Sequence, residues 1–117
     1  MKIKIYETLQ NFFHKYRESN SRDIDYENAK MILKNDNDAV LLDVRSPQEY
    51  REGHLENSIN LPLYNIEQEC EKILPNKEFT IIIYCQTGNR SKRAMQILKK
   101  EGYLNLYNIA GGIDNIS

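Results

Sequence analysis

One strand–loop–helix unit restricts the possible folds of this chain more than any other feature of its sequence. Residues 79–84 are apolar or β-branched without polar alternation, which predicts a strand buried on both faces. A polar loop follows over residues 85–90, and residues 91–100 carry apolar side chains at helical spacing. A buried strand followed directly by a helix predicts an α/β domain with a parallel sheet covered by helices.

The same alternation occurs elsewhere in the chain. Short apolar runs at residues 39–42, 58–61 and 106–109 predict further strands. One helix is predicted to follow the capping residue Asp25, and another to run through residues 66–73. A third is predicted at residues 46–52, because Ser46, Pro47 and Glu49 form a helix-start signal. Gly102 follows the last helix, where a left-handed C-terminal cap is expected.

The first part of the chain differs from this pattern. An apolar stripe at helical spacing predicts that residues 1–22 form an N-terminal helical extension, while residues 23–117 form one domain; the stripe comprises Ile5, Leu9, Phe12, Phe13 and Tyr16. We expect this helix to pack on the domain, and docking of a partner is the alternative.

Composition excludes several classes of function. The net charge of -1 gives no overall field for nucleic acid or an anionic membrane, and no apolar run is long enough to span a bilayer. The start of the chain lacks the apolar stretch of a signal peptide. Two cysteines cannot form a disulfide framework. We therefore expect a monomer in the reducing cytoplasm.

The loop after the buried strand has the composition of an anion-binding cradle. In open parallel sheets ligands bind beyond the carboxyl ends of the strands, where Cys85 lies. Gly88 permits positive φ, Arg90 adds positive charge, and Ser91 is placed to cap the next helix. These features favour a nucleophilic thiolate. The alternative, a small apolar residue ending a strand, leaves the loop composition unexplained.

The ordered motifs of the chain resemble single-domain rhodaneses, the sulfurtransferase family. The resemblance covers residues 24–113 and is carried by Leu41-Leu42-Asp43-Val44-Arg45, Glu49-Tyr50, Gly53-His54-Leu55, Asn60-Leu61-Pro62-Leu63, the loop Cys85-Gln86-Thr87-Gly88-Asn89-Arg90-Ser91, and Ala110-Gly111-Gly112-Ile113. It implies a three-layer fold around a central parallel sheet of about five strands. The last family helix is expected to be short or missing.

The resemblance also implies a reaction. Cys85 would take sulfane sulfur from thiosulfate or another anionic donor as a persulfide, and pass it to cyanide, a thiol or a protein acceptor. No metal or cofactor is implied, and no nucleic acid or membrane partner. The residues expected to bind the persulfide are those of the following loop, namely Gln86, Thr87, Gly88, Asn89, Arg90 and Ser91. Asp43 and Arg45 are expected to support the site.

Two other functions remain open. Many thiosulfate-using rhodaneses have arginine directly after the cysteine, and neutral Gln86 favours a sulfur-relay or regulatory module with little turnover of small donors. The third hypothesis is a phosphatase or arsenate-type reductase. Phosphatases place arginine six residues after the cysteine, whereas Arg90 lies five after Cys85. The shorter loop makes a tighter ring, which suits a single sulfur atom better than a tetrahedral phosphate and argues against this hypothesis.

Several reactive side chains are interpreted as scaffold. We expect Asp43, Arg45 and Glu49 to form a buried ionic brace. We expect the His54 side chain to pack against its neighbours. We expect Cys70 to be unreactive, and the alternative is that it acts as a resolving cysteine for Cys85. A solvated helix face is expected for the cations that follow the loop, with docking of an acidic donor or partner as the alternative; they include Lys92 and Arg93.

Overall fold

The computed structural model describes residues 22–116, and these form the expected α/β architecture around one sheet. Five strands lie in the order β1-β5-β4-β2-β3, and every neighbouring pair is parallel. The strands are β1 (Asp23–Ile24), β2 (Val40–Asp43), β3 (Ile59–Asn60), β4 (Thr80–Tyr84) and β5 (Asn105–Ile109).

Four helices connect these strands in the described part of the chain, and the first two begin at the predicted capping residues. The Asp25 carboxylate accepts a hydrogen bond from the Asn28 N–H at 2.8 Å, and Ser46 and Glu49 form a reciprocal capping box. The elements are α1 (Tyr26–Asn35), α2 (Pro47–Glu52), α3 (Ile66–Ile73) and α4 (Asn89–Lys100), with 3₁₀ turns at Leu63–Asn65 and Ile113–Asn115.

The sheet separates two hydrophobic cores, which confirms the three-layer expectation. Side chains alternate between the faces of a strand, so Ile81 and Ile83 of β4 pack with α3 and α4 on one face. Ile82 and Tyr84 pack with α1 on the other. Both faces of β4 are therefore covered, as its unbroken apolar run predicts.

Strand register brings three chain segments together at the carboxyl edge of the sheet. Asp43 of β2 pairs with Tyr84 of β4, and Ile83 of β4 pairs with Asn108 of β5. The residues that follow these three strands therefore meet at one place. Cys85 lies in the middle of it, because β4 is the central strand.

The structure corrects the predicted start of the last helix. Helix α4 begins at Asn89, not at Ser91, because Gly88 adopts the left-handed conformation (φ 105°) and serves as the N-terminal cap. Ser91 as the cap is therefore wrong. The left-handed cap at Gly102 is confirmed (φ 95°). The last described element is the 3₁₀ turn at Ile113–Asn115.

Two further features concern the ends of the described chain. Strand β1 has only two residues and no recognisable periodicity, so the residue pattern gave no prediction for it. The predicted helical extension over residues 1–22 lies outside the described residues, apart from Arg22.

Within residues 22–116 no helix combines the length and apolarity needed to cross a membrane.

Candidate active site

The Cys85 thiol is enclosed by hydrogen-bond donors of the loop that follows it. Sγ lies 3.1 Å from the Gly88 N–H nitrogen and 3.3 Å from that of Ser91. The Ser91 hydroxyl oxygen lies 3.4 Å from Sγ. Cys85 is only 1% exposed, so these groups, rather than bulk water, solvate the sulfur.

The loop curls around the sulfur because Gly88 turns the chain into α4. Its φ of 105° is a conformation that L side chains rarely adopt. The Ser91 hydroxyl donates a hydrogen bond to the Gly88 carbonyl at 3.0 Å, which closes the first turn of the helix. The positive end of the α4 dipole therefore points at Cys85.

These contacts change the acidity of the thiol. Burial raises the pKa of Cys85, but the hydrogen bonds around the sulfur outweigh burial and hold the pKa below its ordinary value. They come from the backbone N–H groups of Ser91, Gly88 and Thr87, and from the Ser91 hydroxyl when its proton turns from the Gly88 carbonyl towards the ionised sulfur. The site favours the thiolate, which is the nucleophilic form of cysteine.

The turn after β5 fixes the other side of the loop. The Ile113 N–H donates to the Cys85 carbonyl at 2.9 Å, and the Asp114 N–H donates to the Gln86 carbonyl at 3.0 Å. Gly112 makes the approach possible, since a Cβ atom there would lie 2.5 Å from both carbonyl oxygens. With its carbonyls held outward, the loop can direct N–H groups inward. Sequence analysis missed this role, although the Gly111-Gly112 pair signals it.

Asp43 and Arg45 form a buried ion pair behind the loop. The Arg45 Nη2 atom lies 2.8 Å from Asp43 Oδ2 and also donates to the Gly53 carbonyl at 2.7 Å. The Asp43 carboxylate raises the pKa of Arg45, so the guanidinium remains charged although it is only 4% exposed. The predicted brace is present for these two residues. Its third predicted member, Glu49, binds elsewhere.

Gln86 is held by two side chains at the edge of the site. Its amide oxygen accepts a hydrogen bond from Arg45 Nη1 at 3.1 Å, and its amide nitrogen donates to Asp114. Both ends of the amide are thus occupied. The neighbouring loop residues Thr87 and Asn89 expose their side chains to solvent.

Arg90 is paired with Glu49 and is not left as an isolated cation. Its Nη1 and Nη2 atoms lie 2.6 Å and 2.9 Å from the two Glu49 carboxylate oxygens. The Arg90 guanidinium, assisted by hydrogen bonds from Ser46, lowers the pKa of Glu49 to about 2. Sequence analysis paired Glu49 with Arg45. The spacing of residues along the sequence could not show that α4 approaches α2, which brings Arg90 to Glu49.

The remaining reactive residues lie apart from the thiol. The His54 ring stacks on Tyr50, with centroids 3.7 Å apart and planes within 5°. Cys70 lies on the buried face of α3, and neither described cysteine is in a disulfide. The stacking of His54 on Tyr50 agrees with the packing role expected of it, and the inertness of Cys70 stays a prediction.

The sequence of this chain is similar to sequences of known proteins that handle sulfur. The thiosulfate sulfurtransferase PspE of Escherichia coli K12 is 36% identical over 76 residues, covering 65% of this chain and 72% of PspE. YrkF of Bacillus subtilis, whose name describes it as a candidate sulfur carrier protein, is 30% identical over 113 residues; the match covers 92% of this chain and 60% of YrkF.

A solved structure shows the same fold. An uncharacterised protein of Saccharomyces cerevisiae is 30% identical, with a TM-score of 0.70 and coverage of 83% of this chain and 91% of that one. The family model described as the rhodanese-like domain matches residues 26–117. This chain therefore belongs to the rhodanese-like domain family, whose relatives include single-domain sulfurtransferases.

Proposed function

We propose that this protein is a sulfurtransferase that carries sulfane sulfur as a persulfide on Cys85. The observation that supports the proposal most directly is the ring of donors around Sγ, formed by the N–H groups of Gly88 and Ser91. Such a ring stabilises the anionic sulfur that is needed as nucleophile and as leaving group.

The first half-reaction loads the cysteine. The Cys85 thiolate attacks the outer sulfur of a donor such as thiosulfate, a new S–S bond forms, and the old S–S bond breaks so that sulfite leaves with the electron pair. The resulting persulfide anion lies at the N-terminal end of α4, where the helix dipole and the loop N–H groups of Gln86, Thr87, Gly88, Asn89 and Arg90 offset its charge.

The second half-reaction regenerates the thiolate. A thiolate or cyanide attacks the outer sulfur of the persulfide, the bond to Cys85 breaks, and the inner sulfur leaves as the Cys85 thiolate. The low pKa of Cys85 makes it a good leaving group. Because the two half-reactions share one covalent intermediate, ping-pong kinetics are expected.

A second candidate function is protein-to-protein sulfur relay. Both guanidinium groups near the thiol are already paired, Arg45 with Asp43 and Arg90 with Glu49, and Gln86 adds no charge. Such a site attracts a dianion like thiosulfate weakly, which favours persulfides of lower charge or of partner proteins. The match to YrkF is consistent with this alternative.

One experiment tests the proposal and separates the two candidates. The protein is incubated with thiosulfate, its intact mass is measured, and cyanide is then added with an assay for thiocyanate. We expect a gain of one sulfur that cyanide removes, absent in Cys85→Ser and retained in Cys70→Ala. No gain from thiosulfate, but a gain from a persulfidated protein, supports relay. No gain from either donor refutes both.

A further inference from the structure

Two of the carboxylates around the Cys85 loop are neutralised by arginines. Asp43 is paired with Arg45, and Glu49 is paired with Arg90. Each pair has no net charge, so neither pair strongly attracts or repels a charged substrate at a distance. The charge that a substrate meets at this edge of the sheet is therefore set by the groups outside these two pairs.

Asp114, on the 3₁₀ turn after β5, is such a group, and it lies beside the loop. Its N–H donates to the Gln86 carbonyl at 3.0 Å, and its carboxylate accepts a hydrogen bond from the Gln86 side-chain amide. The preceding residue, Ile113, donates its N–H to the Cys85 carbonyl at 2.9 Å. Asp114 is therefore fixed on both the backbone and the side chain of the residue that follows the nucleophile.

No cation balances the Asp114 carboxylate within residues 22–116. The side chain is exposed, and its one partner among these residues is the uncharged Gln86 amide. The other end of that amide accepts a hydrogen bond from Arg45, whose charge Asp43 already offsets. These four side chains form a continuous series of contacts with one net negative charge, and that charge lies at the exposed end.

We propose that Asp114 selects the sulfur donor by its charge. The carboxylate slows the approach of anionic donors such as thiosulfate and favours small persulfides that carry an ammonium group a few bonds from the sulfane sulfur. Contact with the donor is not required, because the Debye length is about 30 Å at 0.01 M ionic strength. The proposal rests on the sulfurtransferase function proposed above, and it adds the charge class of the donor and the residue that sets it.

The loading step is the same for every persulfide donor. The Cys85 thiolate attacks the outer sulfur of the donor and forms the new S–S bond. The S–S bond of the donor breaks, its electron pair leaves with the inner sulfur as a thiolate, and the donor's proton stays with the transferred sulfur. One sulfur atom moves, and no external oxidant or reductant is consumed. Asp114 makes and breaks no bond, so its effect is confined to the approach of the donor.

Ethyl persulfides that differ only in their terminal group provide the first test. The group is an ammonium, a hydroxyl or a sulfonate, and loading of Cys85 is followed by intact mass at low ionic strength in a Cys70→Ala background. We expect the ammonium donor to load faster than the sulfonate donor, and Asp114→Asn to lower this ratio of rates about fivefold. Asparagine keeps an oxygen that can accept from the Gln86 amide, so only the charge is removed. A ratio that Asp114→Asn leaves unchanged would overturn the proposal.

Asp38→Asn is the matched control for net charge. Asp38 is also an exposed aspartate without an ion pair in the described part of the chain. It precedes β2, at the amino ends of the parallel strands, whereas Asp114 follows β5 at their carboxyl ends. We expect Asp38→Asn to keep the original ratio of rates. If it lowers the ratio as much as Asp114→Asn does, the selection comes from net charge and the proposal fails.

A chemical probe separates this proposal from the proposed function. Methanethiosulfonates with the same terminal groups form a mixed disulfide with the Cys85 thiolate and release methanesulfinate, so they report the charge near the sulfur without any persulfide. Each rate is divided by the rate of the same reagent with 2-mercaptoethanol. A preference for the ammonium reagent that only Asp114→Asn lowers supports the proposal, even if no donor loads Cys85 and the enzyme function fails. Persulfide loading with no dependence of either ratio on Asp114 refutes the proposal and leaves the function in place.

Discussion

Glu49 accepts hydrogen bonds from both terminal nitrogens of Arg90, at 2.6 Å and 2.9 Å, although the two residues are 41 positions apart. The same carboxylate accepts from the Ser46 N–H in the capping box of α2. One side chain thus begins a helix and neutralises the arginine of the Cys85 loop. We expect this pairing to weaken the attraction between the site and anionic donors such as thiosulfate.

Glu49→Gln tests that dependence. Glutamine keeps an oxygen that can accept from the Ser46 N–H, so the capping box is preserved, but it releases the charge of Arg90. We expect the rate of Cys85 loading by thiosulfate, measured by intact mass at low donor concentration, to rise about three- to fivefold, the range expected for one partly exposed charge.

Glu52→Gln is the matched control for this variant. It removes one negative charge from the same helix, but within the described residues the Glu52 carboxylate contacts the Gln48 amide and no arginine. We expect loading by thiosulfate to stay close to the wild-type rate. If Glu49→Gln and Glu52→Gln accelerate loading equally, the effect comes from net charge and not from release of Arg90.

The same ion pair predicts how stability depends on pH. The pKa of Glu49 is about 2 in the folded protein, against an ordinary value of 4.5. The ionised form therefore favours folding above the unfolded pKa, and this contribution is lost as pH falls from 4.5 through 2. In urea unfolding, wild type should exceed Glu49→Gln by about 1 kcal/mol or less at pH 6, because the pair is partly exposed. The gap should close towards pH 2; a gap independent of pH would contradict the assignment.

Local signals predicted much of this fold, and contacts between distant segments account for the rest. Asp25 and Ser46 begin helices because capping is decided within three residues. Cys85 could be placed at the carboxyl edge because its strand is long and apolar. The pairing of Arg90 with Glu49 instead requires the approach of two helices. The contact of Gly112 with the Cys85 loop requires the register of β4 and β5, which local pattern does not specify.

Gly112→Ala tests whether the turn after β5 holds the loop. A Cβ atom at this position would lie 2.5 Å from the backbone oxygens of Cys85 and Gln86, and the residue has φ 66°. Because backbone atoms cannot move aside cheaply, we expect a loss of about 2 kcal/mol or more in unfolding free energy. We also expect slower sulfur loading of Cys85, measured by intact mass.

Gly102→Ala serves as the control for backbone strain. Gly102 also has a left-handed conformation (φ 95°), but the nearest atom to an added Cβ is in the flexible Lys77 side chain, at 3.6 Å. The Gly102→Ala variant should lose about 1 kcal/mol of unfolding free energy and retain the wild-type rate of sulfur loading on Cys85. If Gly112→Ala loses no more stability than Gly102→Ala and loads sulfur normally, the contact with the loop has no functional role.

Ser91→Ala tests which groups lower the pKa of the Cys85 thiol. The variant removes the hydroxyl near Sγ and leaves the Ser91 N–H in place, so one of the hydrogen bonds that favour the thiolate is lost while burial is retained. We expect the pKa of Cys85 to rise, the thiolate fraction at neutral pH to fall, and the pH profile of sulfur loading to shift to higher pH. Thiolate ultraviolet absorbance, titrated in a Cys70→Ala background, reports the pKa directly.

Ser58→Ala is the control for deleting a buried hydroxyl. Ser58 donates to the Leu55 carbonyl at 2.7 Å and contacts the Tyr84 hydroxyl at 3.1 Å, but it has no hydrogen bond with Cys85. Both variants should lose stability, since each removes a buried hydrogen bond worth about 1 kcal/mol. Only Ser91→Ala should move the Cys85 titration. An unchanged titration in Ser91→Ala would mean that the backbone N–H groups and the α4 dipole alone hold the thiolate, and that the hydroxyl acts only to close the helix turn on Gly88.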